Sequence, residues 1–354
     1  MKAARSDTRP LWIFLDHCAL DGGAQISLQA FCSGLKGIGL PILELGPSHN
    51  GPFPLTVRRR LSGLFALMVN IIFCFIIHLK HFRSHWYCNS VLDRLQCALI
   101  PSFLIVTHIR DIPKPWHALA MRVFPSKAYV VSSEFMRRRM SQIAPNVGPV
   151  HIIHNIVSEG LYRRDVFADE PLTFRVLMVA NLVPWKKHVT SIEAVALLAS
   201  VGFPVYLDIW GSDALMENQP YRTLLWQLIR SLPKGTVSLV EGKRIRQENF
   251  SKYHCLLHPA GDEPFGRVLA EATLAGLPIV GSDSGNTGAF IKRYSAGIIY
   301  PSDSPHVVAG AIVLLQNQYT YFQNRLRKNQ ERIANDFSVQ NALRQFSESG
   351  LLGF

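Results

Sequence analysis

The stretch from Cys255 to Glu271, Cys-Leu-Leu-His-Pro-Ala-Gly-Asp-Glu-Pro-Phe-Gly-Arg-Val-Leu-Ala-Glu, decides the fold. The apolar run Cys255 to Leu257 reads as a buried strand, Pro259 to Asp262 as its loop, and Gly266 to Ala275 as a helix with apolar residues at helical spacing. Glu263 then stands just before the helix and Glu271 about two turns inside it. The first turn of such a helix has unpaired N–H groups and a partial positive charge, which suits a diphosphate. Gly266 lets a ligand approach the backbone. A carboxylate accepts two hydrogen bonds from a vicinal diol, so one diol is expected at each side of the phosphate. The plainer alternative is an amphipathic helix with a solvated Glu at each end.

Outward from this segment the same grammar repeats. Leu277 to Gly281 reads as a further strand, and Ser282 to Gly288 as a polar loop opening onto another helix. Two adjacent strand ends then carry small, polar loops, and open parallel sheets bind ligands at that edge. Upstream, strands are expected at 173–180, 204–210 and 236–240, with helices at 188–200 and 221–231. In the N-terminal half, strands are expected at 11–15, 41–45, 86–89, 103–107, 128–131 and 150–154, and helices at 25–36, 61–78 and 134–142. Helical periodicity at 304–334 and 337–348 closes the chain. Strand and helix alternating twice over indicates an α/β protein of two Rossmann-like domains facing a central cleft.

Glu-Pro-Phe-Gly-Arg-Val-Leu-Ala-Glu, followed by Ala-Gly-Leu-Pro-Ile-Val, resembles the donor motif of retaining family 4 glycosyltransferases (glycosyl transferases group 1, GT-B fold). The likeness runs over nearly the whole chain. Val176 to Ala194, with Val183-Pro-Trp-Lys-Lys-His188, resembles that family's strand, phosphate loop and helix. Ile209-Trp-Gly-Ser-Asp213 resembles its Gly-Asp-Gly loop, Asp21-Gly-Gly-Ala-Gln25 its N-terminal Gly-Gly loop, and His154-Asn155 the Asn that closes its first domain. The chain departs from the pattern at three places: Asn181 stands where the family usually has Arg, Ala289 where a Glu is usual, and Gln25 where Glu is common. The resemblance implies an acceptor-binding domain at 1–158, a linker at 159–171, a nucleotide-sugar-binding domain at 172–334, and a C-terminal helix at 335–354 that packs back on the first domain.

The implied reaction moves a glycosyl unit from a UDP- or GDP-linked sugar to an acceptor hydroxyl with retention. Breaking that bond builds negative charge on the diphosphate, so stabilising the leaving group is the main task. The resemblance assigns catalytic roles to Glu263, Lys186 and His108. It places Glu271, Gly266, Arg267, Val268, Phe265, Asn181, Lys187 and Gly211 at the donor, and Gly22, Gly23 and Arg110 on the acceptor and sugar side. Several have a bland reading too: Lys186 beside Lys187 as a solvated surface lysine, Arg267 facing solvent, Gly22-Gly23 as an ordinary turn, and His108 as a structural histidine. No metal set is expected, since no Asp-x-Asp pair is present to hold donor phosphates and the His pairs 78/81 and 151/154 lack partners. No cofactor is expected beyond the nucleotide sugar itself.

Composition narrows the class. The 354 residues, 48% of them hydrophobic, suffice for two domains with large cores. Six scattered cysteines without metal spacing favour a reducing compartment, and Met1 to Pro10 lacks a secretory pattern, so the cytoplasm is expected. Of the net charge of +12, residues 1–168 carry +10 and the rest +2. Such a field attracts anionic lipid, a phosphorylated acceptor or nucleic acid; no nucleic-acid motif accompanies it, so nucleic acid is not expected as a partner. The apolar segment Leu64 to Ile77 is short of the roughly 20 residues that span a bilayer. It reads as a core-facing crossover helix, or as a helix dipping into the membrane interface with Arg58 to Arg60, Lys80 and Arg83 meeting anionic headgroups. The helical Arg137 to Arg139 read as a solvated face or as contacts for an acceptor diphosphate or membrane. A glycan or lipid-linked acceptor in polysaccharide, lipopolysaccharide or other glycoconjugate synthesis is the expected partner. Two rivals stand beside this reading, a nucleotide-sugar epimerase of the same fold and a non-catalytic basic binding module.

Overall fold

The structure of the protein, a computed structural model, describes residues 10–17, 22–46, 63–157, 173–211, 219–242, 245, 247–301 and 303–352. The expected linker at 159–171 and the basic Arg58 to Arg60 lie outside the described residues, as do Asp21, Ser212 and Asp213. The chain divides into two compact units, Met1–Ile156 with Val339–Phe354, and Val157–Ser338.

The first unit runs β1 (Trp12–Leu15), α1 (Gly23–Gly37), β2 (Ile42–Leu45), α2 (Gly63–Lys80), β3 (His85–Cys88), α3 (Val91–Gln96), β4 (Ile105–Ile109), α4 (Pro115–Val123), β5 (Ala128–Val131), α5 (Glu134–Ile143) and β6 (Val150–Ile152). All strands pair in parallel in the order β2-β1-β3-β4-β5-β6. Successive side chains of β1 serve opposite faces, as a strand's period of two requires. Trp12 and Phe14 pack with Leu28, Phe31 and Leu35 of α1, whereas Ile13 and Leu15 pack in a separate core with Cys74 of α2. A sheet covered on both faces needs apolar residues throughout, which explains why its strands read as continuous apolar runs. Ser90 and Ser133 stop the backbone ahead of α3 and α5, each accepting a hydrogen bond from the N–H three residues on (3.1 and 3.2 Å). A last helix, α12 (Val339–Glu348), belongs to this unit and sets Phe346 edge-on against Phe31 and Trp12.

The second unit runs β7 (Phe174–Val179), α6 (His188–Ser200), β8 (Val205–Gly211), α7 (Gln219–Arg230), β9 (Val237–Glu241), β10 (Cys255–His258), α8 (Arg267–Leu274), β11 (Ile279–Ser282), α9 (Gly285–Tyr294), β12 (Gly297–Tyr300), α10 (Pro305–Asn317) and α11 (Tyr319–Asp336). Its parallel order is β12-β11-β10-β7-β8-β9. Strand order therefore reverses between β7 and β10, which are hydrogen-bonded neighbours.

Three expectations are corrected. The strand expected at 103–107 starts at Ile105, because a 3-10 turn at Ser102–Leu104 follows Pro101 and uses the first apolar residues; His108 therefore lies inside β4 rather than after it. The helical stretch 304–334 is broken at Gln318 into α10 and α11. α10 is apolar and buries Val308, Ile312 and Leu315 in one core; the polar α11 adds Tyr319 and Phe322 to that core and then sends Leu326 and Ile333 into the other. Third, the loop expected at 282–288 is helical from Gly285 onward. The helices α3 and α4 and the strand β12 are not among the elements expected from the sequence.

Candidate active site

The two strand ends at the reversal point of the second sheet supply the site. After β7 the chain makes a 3-10 turn, Pro184–Lys186, and Lys187 adopts a left-handed conformation (φ 59°) before α6 begins. After β10 it passes Pro259 to Phe265 and reaches Gly266, also left-handed (φ 75°), which precedes α8. A β-carbon on Gly266 would stand 2.6 Å from Leu269 Cδ1 and 3.2 Å from Glu263 Cγ. This glycine is needed for the turn and its packing, a reason separate from ligand approach.

The turn carries Glu263 inward, where it is 8% exposed. Lys186 Nζ donates to Glu263 Oε2 at 2.5 Å, and His258 Nε2 stands 3.4 Å from the same oxygen. Burial alone would raise the pKa of this carboxyl, but the adjacent His258 imidazole and the Lys186 ammonium outweigh it and bring it down to about 2. Lys186 is itself held over the Trp185 ring, its Nζ 3.9 Å from the ring centroid. A partly buried cation and a buried carboxylate thus meet across two loops that lie 77 residues apart in sequence.

Glu271 stands one helical step further, where Arg267 Nε donates to its Oε1 at 2.7 Å (i, i+4) and both side chains are largely buried. The solvated-Glu alternative is thereby corrected for both carboxylates. Phe265 is buried and Val268 half-buried in the core beside α8. Asn181 is exposed near the start of the loop after β7. Lys187 Nζ pairs with Asp303 at 3.0 Å. Gly211 ends β8, and a β-carbon there would stand 2.4 Å from the Ala180 carbonyl oxygen in the loop after β7.

The third loop of the site escaped the sequence reading as a support. Asn286 N–H donates to the Glu263 carbonyl (2.8 Å), and Asn286 Nδ2 to the Phe265 carbonyl (2.7 Å). Ser284 Oγ accepts from the Asp262 N–H at 2.9 Å. Gly285 has φ +62°, and a β-carbon on it would lie 2.2 Å from the Glu263 nitrogen. The loop after β11 therefore clamps the backbone on both sides of Glu263. His258 is the other unanticipated member; it follows the apolar run Cys255 to Leu257, ends β10 in the structure, and only its place beside Glu263 distinguishes it.

The first unit holds its expected residues separately. Gly22 precedes α1 and Gly23 opens it. His108 is buried within β4; its Nδ1 meets the Tyr87 hydroxyl at 2.7 Å, while its Nε2 has no hydrogen-bond partner among the described residues. Burial, and then the Arg110 charge, push its pKa well below the ordinary range, so the imidazole is neutral at pH 7. Arg110 donates from Nε to Asn89 Oδ1 (2.8 Å) and from its guanidinium to Asn155 Oδ1. Tyr87, His108, Arg110 and Ser27 line one small cavity. Among the described residues one His/Asp group has ligand atoms all within 4.8 Å of each other, Asp16, His17 and Asp93. There the Asp93 Oδ1 already accepts from the His17 N–H and meets His17 Nδ1, both at 2.9 Å. Arg137 and Arg138 are exposed, and Arg137 pairs with Glu134 at 3.0 Å.

Residues 166–333 match the family model of glycosyl transferases group 1. No curated protein matches the chain by sequence. Among solved structures, HepE of Anabaena in complex with UDP and glucose is similar, at 18% identity and a TM-score of 0.74, over 96% of this chain and 99% of that one. The sucrose-phosphate synthase of Thermosynechococcus elongatus is similar at 16% identity and a TM-score of 0.78, over 98% and 99%. A glycosyltransferase of Rickettsia africae gives 14% identity and a TM-score of 0.77 over the same shares. These likenesses establish the two-sheet GT-B fold.

Proposed function

Because residues 166–333 belong to the glycosyl transferases group 1 family, we propose that this protein transfers a sugar, with retention, from a nucleoside-diphosphate sugar to an acceptor hydroxyl in glycoconjugate synthesis. The observation that carries the reading is the largely buried Lys186–Glu263 pair (2.5 Å) beside the amino end of α8, at the strand-order reversal. A diphosphate settling against the N–H groups of Gly266 to Val268 is neutralised by Lys186 and Arg267 as it departs. Glu263, ionised at neutral pH, accepts hydrogen bonds from hydroxyls of the transferred sugar, and Glu271 from the ribose diol. Phe265, Lys187, Asn181 and Gly211 border the donor. UDP, bound in the HepE structures, is the first nucleotide to test, ahead of GDP.

The first unit takes the acceptor side in this reading. Gly22 and Gly23 supply N–H groups at the start of α1, Arg110 a cation, and His108 its unpartnered Nε2. Lysine, arginine and helix N–H groups carry the charge compensation that a metal gives other sugar transferases, so the reaction is proposed to need none. The protein is proposed to work in the cytoplasm on a lipid-linked acceptor at the membrane face.

Release of nucleoside diphosphate from a panel of nucleotide sugars, with and without lipid-linked acceptor, tests the reading. Wild type is expected to release it in an acceptor-dependent manner, and Lys186→Ala to be slower by about 100-fold or more. A product of inverted anomeric configuration by proton NMR would refute retention. A changed sugar still joined to its nucleotide would favour the epimerase.

A further inference from the structure

The helices that cover one face of the first sheet leave their own outer side apolar. Along α2, Cys74 and His78 are buried, whereas Phe65, Met68, Ile72, Ile76 and Leu79 are exposed at steps of three and four residues, which places them on one stripe. α3 packs beside α2 and α4 beside α3. Exposed Leu99, Trp116, Leu119 and Val123 extend the apolar surface over that layer. Of the 19 exposed large hydrophobic side chains among the described residues, 12 fall between Phe65 and Val123. Single exposed hydrophobics need no explanation, but this concentration does.

The charge on the same segment is one-sided. Lys80, Arg83, Lys114, Arg122 and Lys127 are exposed, against Asp111 as the exposed acid within residues 63–127. Pairing this face with a second copy would set like charges against each other, whereas an anionic lipid surface satisfies both the charge and the apolar stripe. No described helix is long and apolar enough to cross a membrane.

We propose that the outer face of α2, α3 and α4 docks on an anionic lipid bilayer, with the α2 stripe inserted at the headgroup boundary and the lysines and arginines on lipid phosphates. The proposal rests on the reading above for its purpose, presentation of a lipid-linked acceptor, while its test needs neither donor nor acceptor.

Vesicle flotation of the full chain decides it, using phosphatidylcholine vesicles with and without phosphatidylglycerol. Wild type is expected to float with the anionic vesicles, less so in high salt, and to remain behind with neutral ones. Lys80→Glu with Arg83→Glu should lower partitioning by more than about tenfold. Ile72→Ser with Ile76→Ser should abolish it, with circular dichroism and nucleotide-induced thermal shift unchanged. Absence of wild-type flotation, or equal flotation of wild type and both variants, overturns the proposal. It is also overturned if light scattering shows a dimer that the Ile72→Ser, Ile76→Ser variant dissociates, because a second copy then covers the face. Loss of nucleotide binding in a wild type that still floats counts against the transferase reading alone.

Discussion

Glu263 is the buried carboxylate at which the loops leaving β7 and β10 meet. It is buried, yet its pKa is held down to about 2, with His258 and Lys186 opposing the effect of burial. A carboxyl whose folded pKa lies below its unfolded value near 4.3 contributes stability that is complete above that value and is lost as pH falls through the folded pKa. The protein should therefore lose stability between about pH 4.5 and pH 2 through this group. Urea unfolding at pH 5 and pH 3 is expected to show a smaller difference for Glu263→Gln than for wild type; equal differences would mean that the pair contributes nothing. Removing only Lys186 leaves the carboxylate buried beside His258, so Lys186→Ala should also destabilise the fold at neutral pH, by about 3 kcal/mol. Its effect on turnover therefore has to be measured well below the unfolding temperature.

At the scale of elements, three loops leaving β7, β10 and β11 meet at Glu263, and the last of them sets its backbone. Gly285 has left-handed φ and no room for a β-carbon against the Glu263 nitrogen, 2.2 Å away. Gly285→Ala is expected to cost about 1–3 kcal/mol and to lower transfer activity beyond the loss in fold, because the carboxylate moves with its backbone. Gly266→Ala meets the side chain of Leu269 rather than backbone, and should cost less. Denaturant midpoints and kcat for the two variants check the order; a reversed order would remove Gly285 from its supporting role. His188 opens α6 as a buried imidazole, and burial, the largest cause, brings its pKa down to about 4. With an unfolded pKa near 6.5, it is a second source of acid sensitivity, in a window from about pH 6.5 to 4 that lies above that of Glu263.

On the scale of the whole molecule, the two units share parallel αβ architecture but differ in strand order. The second has the order of a dinucleotide-binding sheet, with its reversal point occupied by the Lys186–Glu263 pair. If that point holds a nucleoside diphosphate, UDP at 100 times its Kd should stabilise the protein by about 2.7 kcal/mol, seen as a higher melting temperature. A chelator is expected to leave that shift intact. Loss of the shift on adding EDTA would place a metal in the donor site, and a shift with GDP but not UDP would change the base.

Much of the fold was legible in the chain itself. The strand at Cys255 to Leu257, the helix start at Gly266 and the two carboxylates around it follow from apolar runs, a glycine and helical spacing, which are local properties. The same locality explains the misplacement of β4: Pro101 and a 3-10 turn displace the strand by two residues, and an apolar run does not reveal its own starting point. What sequence could not show is which side chains meet from separate loops: that Lys186 bonds Glu263 across 77 residues and that Asn286 braces the Glu263 backbone from behind. These contacts depend on strand order, and order is set by the packing of helices on both faces of the sheet rather than by any single segment. Likewise an apolar helix at 63–80 is evident from composition, but only the packed layer decides that Cys74 faces the sheet and Ile72 and Ile76 face out.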